Sequence, residues 1–150
     1  DVTEMNFSVI ALWHVLEHIP NLNETIIKLS SMLGEDGYLV IAVPNHNSLD
    51  AKYYEHYWAG YDVPRHLFHF SKNTIASILA QHGFDKIKIR PMLFDSFYVS
   101  LLSEKYKRGE AWYNKLIINN LIGVLIGIIS NISAWFTGEY SSLIFIYRKK

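Results

Sequence analysis

The sequence contains no cysteine, which excludes disulfide staples, thiolate zinc sites and cysteine nucleophiles. It has no excess of either charge, because 14 Lys and Arg balance 14 Asp and Glu. There is thus no global field to point to nucleic acid or anionic lipid as a partner. Charge is also scarce, at 19% of residues, whereas 50% of the chain is hydrophobic and 15% aromatic. That ratio excludes a disordered tail and supports one packed domain, or part of one, in 150 residues. Repeats and low-complexity segments are lacking. The opening DVTEMNFSVI has neither the basic start nor the apolar run of a signal peptide, and it begins without Met. The expectation is a piece of a longer protein in a reducing, cytoplasmic setting.

What is present alternates between strand and helix patterns. Phe7 to Leu12 (FSVIAL) is a nearly continuous apolar run, as in a strand buried on both faces. After the break at Pro20 and Asn21, Asn23 is placed to cap a helix. Its inner face would carry Ile26, Ile27, Leu29 and Leu33, and Gly34 with the Glu35-Asp36-Gly37 turn would end it. Tyr38 to Val43 (YLVIAV) reads as a second fully buried strand, stopped by Pro44. Strand, helix and strand with short turns imply a βαβ unit in a parallel sheet. Residues 45–71 show little periodicity and carry many His and aromatic side chains, the mark of an acceptor-side loop or lid. Ser71 should cap a helix with Ile75, Ile78 and Leu79 inside and Gly83 at its end. Phe84 to Arg90 (FDKIKIR) alternates, which places it nearer a sheet edge. Ser142 to Tyr147 (SLIFIY) is a last buried strand before a solvated Arg148-Lys149-Lys150 tail.

The order of these pieces resembles the second half of a class I S-adenosylmethionine-dependent methyltransferase. The matching segments are VLEHI after the first strand, LGEDGYLVIAVPN, and DVPRHLFHFS with the helix ASILAQHGF. They cover roughly residues 6–90, and the branch they look most like includes the ubiquinone-biosynthesis O-methyltransferases. The implied fold is α/β: the C-terminal half of a Rossmann-like methyltransferase sheet. Strands resembling the fourth to the seventh would be present, with the last antiparallel between its neighbours. The family's glycine-rich cofactor loop has no counterpart, since no G-x-G occurs. The resemblance therefore implies a partial domain over 1–150, weak or absent cofactor binding by this chain alone, and an apolar edge at Phe7–Leu12 suited to dimerisation.

In an open α/β sheet, ligands bind beyond the carboxyl ends of strands. By resemblance, Ala11, Leu12, Trp13 and His14 would line S-adenosyl-L-methionine; otherwise Trp13 packs in the core and His14 bonds locally. His14, Glu17 and His18 form an H-x-x-E-H string, which on a helix shares one face and can hold zinc. Pro20 cuts that helix short, so the preferred reading is no metal, with Glu17 and His18 orienting the loop. In Asp62 to His69 (DVPRHLFH), Arg65 can fork onto a carboxylate, including Asp62, and His66 or His69 can take a proton from an acceptor hydroxyl. His66 is the first choice of base; the competing reading is an Asp62–Arg65 pair with the His rings packed structurally. Tyr53, Tyr54, Tyr57, Trp58 and Tyr61 either wall an apolar acceptor pocket or cover the sheet.

Residues 116–138 (LIINNLIGVLIGIISNISAWFTG) carry no charge. Asn119, Gly123, Gly127 and Asn131 recur every four residues as one small, polar stripe. It reads either as a membrane-helix contact or as the solvent side of a helix otherwise buried. The polar residues and the strand that must follow argue against spanning. A helical insertion over 112–137, docked on an acceptor pocket or lying peripherally at a membrane, fits better. The leading expectation is methyl transfer to a small, even lipid-like, acceptor, with the fragment inactive alone. The alternatives are a non-catalytic partner or membrane-interface module and an H-x-x-E-H metal-dependent hydrolase.

Overall fold

A computed structural model describes residues 6–109 and 116–150, so the start of the expected insertion, 112–115, lies outside the described residues. Its strands are β1 (Phe7–Trp13), β2 (Leu33–Pro44), β3 (Phe84–Pro91) and β4 (Ser142–Lys149). Its helices are α1 (Leu22–Met32), α2 (Leu49–Tyr54), α3 (Lys72–Gln81), α4 (Asp95–Arg108) and α5 (Leu116–Thr137). The strands form one open sheet in the order β1-β2-β4-β3. β1 and β2 are parallel, and β4 runs antiparallel between β2 and β3, as expected.

One face of the sheet makes the core. Leu39, Ile41 and Val43 of β2 and Leu143, Phe145 and Tyr147 of β4 alternate onto it. Ile26 of α1 and Ile75 and Leu79 of α3 close over them. Each such side chain, removed from water, contributes about 1.5–3 kcal/mol. Along β1, Phe7, Ile10 and Leu12 reach this core, whereas Val9 and Trp13 are exposed. The expectation of burial on both faces is therefore corrected for β1, whereas the carboxyl half of β2 meets it, Ile41, Ala42 and Val43 all being buried. The helices α1 and α3 cover one face, and α4 and α5 pack on each other and on α2 instead of over β1.

Local signals around α1 also differ from the sequence reading. Asn21, not Asn23, takes the cap position, without a side-chain cap bond. Ile26 points inward but Ile27 is exposed, and Leu33 is buried as the first residue of β2. Gly34 lies within β2, and the left-handed position of the turn falls on Asp36 (φ 59°). Lys149 is no solvated tail. Its Nζ donates to the carbonyls of Ser30 and Leu33 at 2.7 and 2.8 Å, satisfying the carboxyl end of α1. At α3 the reading holds: Ser71 and Thr74 form a capping box, and Gly83 ends the helix at φ 78°.

The stretch 45–71 is less irregular than its sequence suggests, holding α2 and short 3-10 turns at Glu55–Tyr57 and Ala59–Tyr61. Tyr54 and Trp58 are buried with Ala51 and Val99, while Tyr53 and Tyr57 face outward, so the aromatic cluster is split. Asp50, fully buried, accepts from Trp58 Nε1 (2.7 Å), Ser130 Oγ (2.6 Å) and Ser141 Oγ (2.7 Å).

The helices α4 and α5 pack closely as a pair. The small stripe of α5 faces inward, with Asn119, Gly123, Gly127 and Ser130 buried, and Leu121, Leu125 and Ile132 face out. This inverts the reading of that stripe as a solvent face. A Cβ at Gly123 would lie 3.0 Å from Leu101 Cα, and one at Gly127 would lie 3.1 Å from Phe97 Cα. Backbone cannot yield there as a flexible side chain could. Gly123→Val should therefore cost about 1–3 kcal/mol in chemical denaturation, whereas Leu121→Ala on the outer face should leave the midpoint unchanged.

Candidate functional site

Beyond the carboxyl ends of β1 and β2 lies a cleft of about 360 Å³, walled by His14, Pro44, Gly60, His66, Asp95 and Tyr98 among others. Each element delivers its residue for a local reason. β1 ends in a turn in which His14 adopts a left-handed conformation (φ 51°), its N–H held by the Ala42 carbonyl at 2.9 Å. A 3-10 turn follows and buries Glu17. The Glu17 carbonyl accepts from the N–H groups of Leu67 and Phe68, which fastens the Asp62–His69 segment against the end of β1.

His14 sits between two carboxylates. Its Nε2 is 3.3 Å from Asp95 Oδ2, and its Nδ1 is 3.3 Å from Glu17 Oε1. The hydrogen bonds to Asp95 and then Glu17 outweigh burial and raise its pKa to about 9. The ring is therefore a cation at neutral pH, with no lone pair for a metal or a proton. Glu17 is 1% exposed, and its Oε2 has no hydrogen-bond partner among the described residues.

His66 is the other imidazole in the cleft. Its Nδ1 is 2.8 Å from the Gly60 carbonyl, which can only accept, so Nδ1 carries the proton and Nε2 holds the lone pair of the neutral ring. Nε2 lies 3.9 Å from Glu17 Oε1. His18 repeats the pattern: its Nδ1 donates to the Arg65 carbonyl at 2.9 Å, and its ring stands edge-on to His66 with centroids 4.6 Å apart. One ligand atom each from Glu17, His18 and His66 lie within 4.8 Å of one another. The carboxylate–imidazole group thus draws its third member from His66 and not from His14.

Arg65 forks onto Asp62, with Nε–Oδ2 at 2.8 Å, and its hydrogen bonds, aided by its charge, hold the Asp62 carboxyl below the usual range. It is mostly exposed and steadies the rim. His69 lies away from the cleft wall, edge-on to Tyr61 at 4.9 Å, and burial lowers its pKa. Of the strand-end group, Leu12 turns into the core, while Ala11 and Trp13 lie on the uncovered face of the sheet. The sequence reading missed Asp95 and Tyr98. The available signal was an acidic residue opening the amphipathic run at 95–108.

The His14 pair has a pH signature. A folded pKa raised from 6.5 to about 9 contributes stability that is fully present below 6.5 and is lost as pH rises through 9. Thermal unfolding midpoints should fall across that window, and Asp95→Asn should flatten the fall; an unchanged profile in the variant would remove Asp95 as its source.

The comparisons with known proteins agree with this fold. A SAM-dependent methyltransferase from Thermotoga maritima, described as a possible histamine N-methyltransferase, superposes with a TM-score of 0.61 at 11% identity, covering 100% of this chain and 62% of that one. A SAM-dependent methyltransferase from Archaeoglobus fulgidus gives 0.54 at 20% identity, over 99% and 65% of the two chains. Phosphoethanolamine N-methyltransferase 2 from Haemonchus contortus, in complex with S-adenosyl-L-methionine, gives 0.51 at 16% identity, over 99% and 36%. The chain thus spans less than two thirds of each of these structures, and at such identities the likeness is one of fold. No curated protein matches the sequence. The family model described as "Methyltransferase domain" matches residues 1–89, more than half of the sequence, and the chain accordingly belongs to the methyltransferase domain family.

Proposed function

We propose that this chain forms the acceptor side of an S-adenosyl-L-methionine-dependent methyltransferase acting on a hydroxyl of a small, largely apolar molecule, in the manner of the O-methyltransferase branch that the sequence resembles. The observation that carries the reading is the cleft at the strand ends, with the Nε2 lone pair of His66 at its wall. Pro44, Ala59, Val99 and Leu102 give that cleft apolar surface, and Tyr98 and Tyr106 offer hydroxyls to orient an acceptor.

The fit to the cofactor is one-sided. The sequence holds no G-x-G loop for the amino-acid end. The residues present suit only the reacting end, where carboxylates and tyrosine rings tolerate a sulfonium cation. What the chain's own groups contribute is positioning, exclusion of water by the apolar wall, and acceptance of the hydroxyl proton at His66 Nε2. His14 is committed to its two carboxylates and acts as a brace between β1 and α4.

Titration calorimetry of S-adenosylhomocysteine into the full-length protein should show binding near the micromolar range, about −8 kcal/mol. His66→Ala should then lower turnover about 10²-fold or more while leaving that binding unchanged and the protein folded. A full-length protein that is folded but binds no S-adenosylhomocysteine would refute the reading.

The unpartnered Glu17 Oε2 favours a second reading, a divalent cation on Glu17, His18 and His66. Metal analysis of protein purified without chelator should then find about one equivalent, lost in Glu17→Gln. Metal-free protein with full activity would dismiss it.

A further inference from the structure

We propose that the α4–α5 pair docks on the surface of an anionic phospholipid membrane, lying in its interface without crossing it. By length and composition α5 is apolar enough to span, but only its outer side is bare. That side carries Ile117, Leu121, Leu125, Ile128 and Ile132 at helical spacing and ends in Trp135 and Phe136, 83% and 87% exposed. Phe94, at the start of α4, is 84% exposed. It lies close to the carboxyl half of α5, where Asn131 Nδ2 donates to the Leu93 carbonyl at 2.9 Å. The bare surface therefore continues across both helices.

Spanning is excluded by the company α5 keeps. It packs along α4, whose last turns carry Glu104, Lys105, Lys107 and Arg108, and β4 begins only a few residues after its end, inside the sheet. A helix held flat by a charged neighbour, with one apolar side, is an interfacial element.

Charge selects the occupant. Phe94, Tyr98 and Lys105 fall on one line along α4, at spacings of four and seven. Glu104 is buried and paired to Arg108 at 2.6 Å, so the neighbouring Lys105 has no carboxylate partner among the described residues, whereas Lys107 turns towards α2, its Nζ 4.8 Å from the Tyr53 ring centroid. The outer side of α5 has no charge of either sign. A second copy would bring the same cation to the same face, with no acid among the described residues of that face to meet it, whereas a phospholipid surface supplies the anions. The surface includes Tyr98, which also lines the cleft, so docking would set the cleft mouth beside the headgroup layer.

Flotation of the full-length protein with vesicles tests this independently of any methyl transfer. The protein should float with vesicles of mixed phosphatidylcholine and phosphatidylglycerol. Lys105→Gln should weaken that binding about five-fold, and Leu125→Glu with Ile132→Glu should abolish it. All three substitutions are at exposed positions, and circular dichroism should match the parent. No flotation of the parent would overturn the proposal. A lipid-independent dimer in light scattering that the Glu variants dissolve would also overturn it, by making a second copy the occupant.

Discussion

The buried carboxylate of Asp50 is the interaction on which the arrangement of this chain depends. It is a single acceptor group with no exposure, and its donors come from three places: Trp58 in the segment after β2, Ser130 in α5, and Ser141 at the entrance to β4. A carboxylate out of water is tolerable only when its lone pairs are met, and here both oxygens are. The consequence is topological. The last strand must return to the middle of the sheet after a long excursion through α4 and α5, and Ser141 is the residue just before it. Asp50 fixes that return point against the wall of the cleft. Asn45 reinforces it, its Nδ2 donating to Glu139 Oε2 at 2.8 Å and to the Tyr140 carbonyl at 3.0 Å.

The close approach of α4 and α5 follows from the same anchor. Ser130 can reach Asp50 only if α5 lies low on α2 and α4, and glycine at 123 and 127 permits it. A helix pair that interlocks through its small residues turns its large ones outward. The bare aliphatic side of α5 is thus a product of how its other side packs.

Much of this was legible in the sequence, and the failures have physical causes. The strand order and the antiparallel last strand followed from the resemblance, and the Ser71 cap from local chemistry alone. The strands were expected to be buried on both faces because a continuous apolar run carries no record of whether a second layer exists to cover it; Val9 and Trp13 show that β1 lacks one. The stripe of Asn119, Gly123, Gly127 and Asn131 was visible, but periodicity cannot say which side of a helix finds a partner. Asn23 looked like a cap from composition, yet the chain direction set after Pro20 starts the helix at Leu22. At the site, His66 and Glu17 were named from the sequence. The joining of His14 to Asp95 was not, since it spans 81 positions and rests on a helix start without a capping side chain.

That distant pair also decides which groups in the cleft remain available for chemistry. His14 is held as a cation by Asp95 and Glu17, and Arg65 is held by Asp62. These ion pairs leave His66 at the cleft wall with Nδ1 fixed on the Gly60 carbonyl and the lone pair of its neutral ring on Nε2. Glu17 lies buried behind that wall, its Oε2 without a partner among the described residues. His66 and Glu17 stand on segments that the Glu17 carbonyl ties together. Moving that tie would displace both side chains at once, which is why the turn after β1 and the Asp62–His69 segment act as a single unit.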